Sequence, residues 1–402
     1  MKRDLRGFYL LLALLAASFA FGKFQGGFVP WFLFYVTLSL TLYVTAVAFG
    51  ALRRVDVSRE LSSKRLTAGD ALRVTVRYRI LSHFPFAWLF FREESSLKHP
   101  GQGNLVFGLK RSGEMRYTLS RMPRGRHLFK GIEVTSGDLF GFVKKRVMTG
   151  GWEEVLVYPR VRPIRLWPTT NDRNAGHSLS INRISENATA VVGVRDYVPG
   201  DRLNRIHWKA TARGQGLKVK EFEHRTTNDF LFVLDRRGWS YEKERELFER
   251  AVSLTASLIA YAIDRRFSAG LISCGTKRTA FPLGRSQDHL LRLFEHLATV
   301  EADGKEPLSQ TVLRESVYLP AGATLVIVTP LLDDPLVEAV SQLAYRKIKV
   351  ELFWLLHPEE RRRREQRWPD TLTSLGVNIT RIADDRFDQA LRGGISDGIP
   401  TA

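Results

Sequence analysis

Residues Asp229–Asp235 read DFLFVLD: five apolar side chains in a row, closed at each end by an aspartate. A strand with one wet face alternates polar and apolar residues. An unbroken apolar run of this length instead suits a strand covered on both faces, as in a parallel sheet under helices. The chain downstream agrees. An amphipathic stretch at helical spacing, Glu242–Arg265, leads to a second apolar run, Ser268–Cys274. Helix Ser286–Val300, strand Thr324–Thr329, helix Leu336–Tyr345 and strand Val350–Leu356 follow, then a charged helix near Glu359–Arg367, strand Val377–Ile382 and helix Arg386–Arg392. Strands alternating with helices predict an α/β domain over residues 229–402. Ligands of such sheets lie at the carboxyl ends of strands, which singles out Asp235, Cys274 and Thr329.

Upstream the period changes. Over residues 53–160 the pattern is that of short strands separated by Gly, Pro and Ser clusters. Ala71–Ile80 alternates at period two after a Thr67–Asp70 turn. Phe86–Phe91, Asn104–Leu109, Glu114–Leu119, His127–Val134, Phe142–Val147 and Glu154–Tyr158 continue it. About seven strands with no helix between them predict an all-β, immunoglobulin-like sandwich. With no disulfide across it, apolar burial between the sheets is expected to hold it. Two loops, Met122–Arg126 and Ser136–Phe142, read as hairpin turns with core anchors. Residues 161–190, rich in Asn, Arg, Pro and Ser, read as a linker.

The first 52 residues are of a third kind. Two apolar runs, about 7–22 and 29–52, flank the short turn Gly22–Gly27. At about 1.5 Å per residue the second can cross a hydrocarbon core of about 30 Å, and the first can if its flanking glycines are included. The pair reads as a transmembrane helical hairpin. A signal peptide is the rival for the first run, but its cleavage site is weak and a second apolar run follows at once. Lys2, Arg3 and Arg6 precede the pair and Arg53 and Arg54 follow it, against Lys23 alone in the turn. The positive-inside rule then places both termini and the globular domains in the cytoplasm of a two-pass membrane protein.

Composition fits that placement. The chain of 402 residues carries a formal net charge of +19. A basic body beneath an anionic leaflet gains about 1 kcal/mol per basic residue near the surface. The lone cysteine, Cys274, excludes an intramolecular disulfide and a cysteine metal cluster, and reads as a buried, inert thiol. The histidines show no ligand spacing, and no zinc finger, RNA-recognition signature or basic zipper marks a nucleic-acid binder. No cofactor is expected.

Between linker and α/β domain, residues 191–228 hold the densest mixture of special residues, RDYVPGDRLNRIHWKATAR at 195–213. Pro199-Gly200-Asp201 is a turn. One reading makes the segment a polar joint, with Trp208 a core anchor and Arg195, Arg205 and Arg213 paired to Asp196, Asp201 and Glu221. The other makes it a docking surface for an acidic segment or phosphate, built from Arg195, Asp196, Tyr197, Pro199, Gly200, Asp201, Arg205, His207, Trp208, Lys209 and Arg213. Residues 195–225 set eight basic side chains against four acidic ones, and arginine forks suit carboxylate and phosphate. A third reading, a hydrolase or transferase using a His207–Asp201 acid–base pair, lacks a nucleophile placed by sequence.

The stretch YVPGDRLNRIHWKATARGQGLKVKEFE, Tyr197–Glu223, resembles the signature of domain-of-unknown-function family number 58. RGRHLFKGIEVTSGDLFGFV, Arg124–Val143, is similar to that family's upstream segment. The resemblance implies a carboxyl-terminal domain similar to a von Willebrand factor type A (Rossmann-like) fold. It also implies company with MoxR-type AAA+ ATPases and transglutaminase-like membrane proteins, hence a non-enzymatic adaptor beside the lipid bilayer. Type A folds often bind a divalent metal through Asp-x-Ser-x-Ser. The matching stretch keeps Asp235 but has Arg237 and Trp239 in place of both serines. No metal is expected, and Arg237 is expected to pair with Asp235 in the ion's stead.

Overall fold

The computed structural model describes residues 2–50, 55–81, 88–97, 104–107, 111–168, 191–198, 203, 206–214, 216–222, 229–241, 244–320, 322–356 and 368–393. The chain divides into two compact bodies, Met1–Arg160 with Phe294–Val300, and Val161–Leu293 with Glu301–Ala402.

The first body begins with a short strand, β1 (Lys2–Asp4), and two helices, α1 (Arg6–Gln25) and α2 (Phe28–Gly50). Gly26 and Gly27 join the helices at φ of 65° and 88°, a region glycine enters without steric cost. The chain reverses there and the helices lie against each other. Both are long and apolar enough to cross a membrane. The structure includes Gly7 and Gly22 in α1, which supplies the length that its apolar run alone lacks. In α2 the hydroxyls of Thr37, Ser39, Thr41 and Thr45 donate to carbonyls four residues back at 2.7–2.9 Å. The polar side chains that interrupt the apolar run are thereby satisfied within the helix.

Nine strands follow: β2 (Val55–Leu61), β3 (Arg65–Thr67), β4 (Leu72–Ile80), β5 (Trp88–Ser95), β6 (Asn104–Phe107), β7 (Ser112–Leu119), β8 (Gly125–Gly137), β9 (Lys144–Thr149) and β10 (Glu153–Tyr158). They form a three-stranded sheet, β2-β4-β7, and a larger one running β1-β9-β8-β10-β3, with β5 also on β8 and β6 on β5. All pairs are antiparallel except β10 with β3. The expected alternation in β4 is present, with Leu72, Val74, Val76, Tyr78 and Ile80 buried. They share one core with Leu89, Phe91, Phe129, Ile132, Val134, Val155 and Val157 of the larger sheet.

Apolar burial does not hold these sheets alone. Arg59 of β2 places its guanidinium 2.8 Å from Glu93 of β5 and 2.9 Å from Glu153 of β10. It also donates to the Phe129 and Gly151 carbonyls. A charged clamp thus ties the small sheet to the large one. The two loops also differ from expectation in part. Met122 is a buried anchor, but Leu139 and Phe140 are largely exposed, and it is Phe142 that joins the core cluster, beside Val143 against α1 and α2. Buried Asp138 accepts from the backbone amides of Phe140 (2.8 Å) and Val143 (2.6 Å), and so turns the Leu139–Phe140 tip outward.

The second body takes in part of the expected linker. Trp167 is 1% exposed. Its ring packs on Phe230, Phe232, Tyr261 and Phe353, and its Nε1–H donates to buried Glu351 at 2.7 Å. Residues 161–168 therefore belong to the α/β core, because an indole gains more by burial among rings than in a solvated tether. Residues 169–190 lie outside the described residues.

A two-stranded hairpin, β11 (Val191–Asp196) and β12 (Lys218–Phe222), brackets the short helix α3 (Trp208–Thr211). The sheet proper follows: β13 (Asp229–Leu234), α4 (Arg245–Asp264), β14 (Ser268–Cys274), β15 (Arg278–Gly284), α5 (Gln287–Thr299), α6 (Leu308–Ser316), β16 (Thr324–Thr329), α7 (Asp334–Tyr345), β17 (Lys349–Leu355), α8 (Trp368–Ser374), β18 (Asn378–Ile382) and α9 (Phe387–Gly393). The strand order is β15-β14-β13-β16-β17-β18. The expected parallel pairings hold for five strands, but β15 runs antiparallel to β14. Neither β15 nor α6 stands out in the sequence. The edge strand β15 carries Pro282 and half-exposed positions rather than an apolar run, as edge strands do. The expected charged helix near Glu359–Arg367 falls outside the described residues.

Candidate functional site

The chain leaves β13 toward β14 and β15, then returns to β16 on the opposite side of β13. The crevice between the carboxyl ends of β13 and β16 is thus the topological switch point, where open α/β sheets bind ligands. Asp235 follows β13 there and is fully buried. Its Oδ1 accepts from the Arg237 backbone amide (2.9 Å) and Nε (3.1 Å). Its Oδ2 accepts from Arg237 Nη2 (2.9 Å) and from the Thr329 hydroxyl (2.7 Å) at the end of β16. Arg237 Nη1 reaches onward to Asp333 at 2.6 Å. Asp333 in turn caps α7 through the Leu336 amide.

The guanidinium is thus held between two carboxylates and 2% exposed. Burial alone would lower its pKa, but Asp235 and Asp333 outweigh that and raise it. Tyr241 closes the floor by donating to the Asp235 carbonyl at 2.6 Å. Burial first, then the Asp235 charge, pushes that hydroxyl well above its ordinary value, so it remains a donor. Trp239 lies over the arginine, with Cζ 5.7 Å from the ring. The residues do not fit a divalent cation: both Asp235 oxygens are engaged, and a positive group stands where hydroxyl ligands would have to be. The ion pair expected between Arg237 and Asp235 is present. Thr329 was among the strand ends that sequence singled out, and it does join the site. Asp333 lies four residues past the end of β16, and its place as the cap of α7 brings it to the arginine.

The neighbouring arginine turns away. Arg236 donates to Asp303 (2.5 Å), the Ser273 hydroxyl (3.0 Å) and the Glu301 carbonyl (2.8 Å). Burial would raise the Asp303 carboxyl, but Thr276 hydrogen bonds and the Arg236 charge hold it below its ordinary value. Cys274 is buried, and burial pushes its thiol up, away from the reactive thiolate.

The signature segment forms a separate feature. β11 and β12 pair from Val191↔Phe222 to Asp196↔Lys218, and Ile206 bridges to Val219 beneath them. His207 donates its backbone N–H to the Lys218 carbonyl at 2.8 Å. Its Nδ1 accepts from the Ala210 amide at 3.0 Å, capping α3. The ring thus has a local structural task. Asp196 pairs with Lys218 at 2.6 Å, not with Arg195, whose Nη1 donates to the Asp196 carbonyl. Tyr197 donates its amide to the Leu217 carbonyl. Trp208 is 66% exposed and is not a core anchor; Ile206 and Val219 fill that role. Lys209 and Arg213 are exposed beside it. Pro199, Gly200, Asp201 and Arg205 lie outside the described residues.

A family model described as "Protein of unknown function DUF58" matches residues 193–361, which include the hairpin and the switch point. The chain is 33% identical over 314 residues to the protein described as "Uncharacterized protein YeaD" of Bacillus subtilis (strain 168), spanning 76% of this chain and 77% of that one. Among solved structures, the CARDB domain of PF1109 from Pyrococcus furiosus is 12% identical, covers 26% of this chain and 92% of that one, and has a TM-score of 0.20. Proximal thread matrix protein 1 from the mussel byssus is 11% identical, covers 42% and 45%, and has a TM-score of 0.29. Overlaps that low carry no argument about this chain.

Proposed function

The chain belongs to the family described as protein of unknown function DUF58, and we propose that it is a membrane-anchored adaptor that acts by protein–protein contact rather than by catalysis. The observation that carries this reading is the surface of the signature hairpin. Trp208 and Leu203 are 66% and 69% exposed there, with Val194, Val198 and Leu217 also exposed among Arg195, Lys209 and Arg213. Aromatic and arginine side chains are the types that dominate binding energy at protein interfaces, and the basic surround suits an acidic partner segment. The partner class that the family resemblance implies is a MoxR-type AAA+ ATPase, with a transglutaminase-like membrane protein in the same assembly.

Two further features support it. α1 and α2 are read as two membrane spans, with the basic flanks placing both bodies on the cytoplasmic side. The six-stranded domain is read as von Willebrand factor type A-like on its strand order, with Arg237 as a built-in cation at the position where that fold takes a metal. The two-sheet body is read as immunoglobulin-like.

The test is capture from native membranes by the full chain in detergent. The expected result is an AAA+ ATPase in the eluate, with capture weakened about tenfold or more in Trp208→Ala/Arg213→Glu. Equal capture by that variant, its fold confirmed by circular dichroism, would remove the hairpin from the interface. Failure of the wild-type chain to capture any protein would defeat the adaptor reading.

A further inference from the structure

Asp138 holds two large apolar side chains, Leu139 and Phe140, out of the first body, 71% and 65% exposed. The turn is rigid rather than loose. Besides the two amides it receives, Asp138 accepts through its carbonyl from Trp88 Nε1 at 3.3 Å. The turn is also fastened to both helices. The Leu139 amide donates to the Tyr43 hydroxyl at 3.3 Å, and the Phe140 ring meets Tyr43 edge-on at 6.3 Å. On α1, Gly7 permits the approach: a Cβ there would stand 2.6 Å from the Phe142 carbonyl oxygen. Val143 completes a cluster with Leu11, Val44 and Ala48.

These contacts fix the height of the tip along the helices. Tyr43 lies fifteen residues beyond Phe28, about 22 Å at 1.5 Å per residue. Gly7 lies eighteen residues before Gln25, about 27 Å. Measured from the Gly26–Gly27 reversal, the tip therefore sits near the far boundary of a hydrocarbon core about 30 Å thick. Aromatic side chains gather at that boundary. On the same side, Lys144 is exposed at the start of β9. Arg146, two positions along β9, is exposed as well, while Lys145 between them is buried, so the outward face of this strand is basic beside β1.

We propose that Leu139 and Phe140 form a second membrane contact, inserted at the headgroup–acyl boundary of an anionic leaflet and fixing the first body against the bilayer. The proposal rests on the reading of α1 and α2 as spans. The ligand is a lipid surface; the geometry gives the tip an apolar depth and the sheet edge a basic rim, which together match an acidic headgroup layer.

The test uses the full chain with Cys274→Ala, reconstituted in phosphatidylcholine–phosphatidylglycerol vesicles. A polarity-sensitive fluorophore is attached at Leu139→Cys, at Leu38→Cys within α2, or at Met148→Cys farther along β9. Nitroxide-bearing lipids report depth. The proposal expects the position-139 label to shift to the blue and lose most of its emission to nitroxides near the headgroups, while position 148 is little quenched. Quenching at position 38 without quenching at 139 would overturn the tip contact and leave the spans standing. No quenching at 38 either would overturn the spans and the tip contact together. Equal quenching at 139 and 148 would mean that the whole sheet edge lies on the lipid, and would overturn the specific role of the tip.

Discussion

Each body buries one arginine between two carboxylates, and the two sites serve different ends. Arg59 joins strands of two sheets, with Glu93 and Glu153 as partners and the Phe129 ring 5.2 Å below. Arg237 joins nothing across layers. It sits three residues beyond a strand end, at the place where the sheet's winding reverses, and uses Asp235, Thr329 and Asp333. Burial and charge are alike, so neither property separates a stitch from a filled ligand position. Topology does: one arginine lies where strands cross, the other where an open sheet would receive a ligand.

The largest effect is expected at the switch point. Arg237→Ala leaves fully buried Asp235 without its cation and should cost about 3–5 kcal/mol of α/β-body stability, read by denaturant unfolding. Arg237→Ser should lose a similar amount but recover part of it when magnesium is added, because a hydroxyl now faces Asp235. Magnesium should leave the wild-type midpoint unchanged. A magnesium gain in the wild type that vanishes in Asp235→Ala would break the comparison.

Arg59→Met should cost less, about 2–3 kcal/mol, read on the unfolding of the β-rich body. The abandoned Glu93 can relieve its burial by taking up a proton. Burial raises its carboxyl above the ordinary 4.5 and outweighs the pull of Arg59. Adding Glu93→Gln to Arg59→Met should restore part of the loss. If it restores none, the clamp is set by Glu153 and the carbonyls instead.

The smallest effect sharpens the contrast through pH. Glu315 in α6 is buried against Arg278 and Arg314. Burial would raise its carboxyl, but the two arginines prevail and hold it below the ordinary 4.5. The stability it contributes is present above 4.5 and is lost as pH falls through the depressed value. Glu93 acts with the opposite sign: its favourable share is present below 4.5 and is lost as pH rises through the raised value. Glu315→Gln should cost about 1 kcal/mol at neutral pH, its arginine partners being half exposed, and should flatten the acid limb of the α/β-body stability curve. Glu93→Gln should flatten the β-rich body's curve just above pH 4.5. A matching sign in the two curves would count against these assignments.

Much of this was legible in sequence wherever a local pattern decides the outcome. The period of β4, the unbroken run of β13, the two apolar runs of α1 and α2, and the Asp235–Arg237 pair each lie within a few residues. What escaped depends on distant chain meeting. Asp333 reaches Arg237 only because β16 lies beside β13. Arg59 finds Glu93 and Glu153 only after two sheets face each other. Trp208 looked like an anchor because tryptophan usually is one, and nothing local reveals that Ile206 and Val219 already fill the space beneath the hairpin. Trp167 was hidden for the opposite reason, a large ring in a polar, proline-bearing stretch.

That same indole sets where the second body can be cut. A fragment beginning at Val191 would lack it, leaving a ring-sized slot among Phe230, Phe232, Tyr261 and Phe353 and removing one donor from the Glu351 carboxylate. A fragment beginning at Val161 carries its own plug. The segment from Val161 to Trp167 thus acts as an amino-terminal stopper for a sheet whose first strand begins only at Asp229.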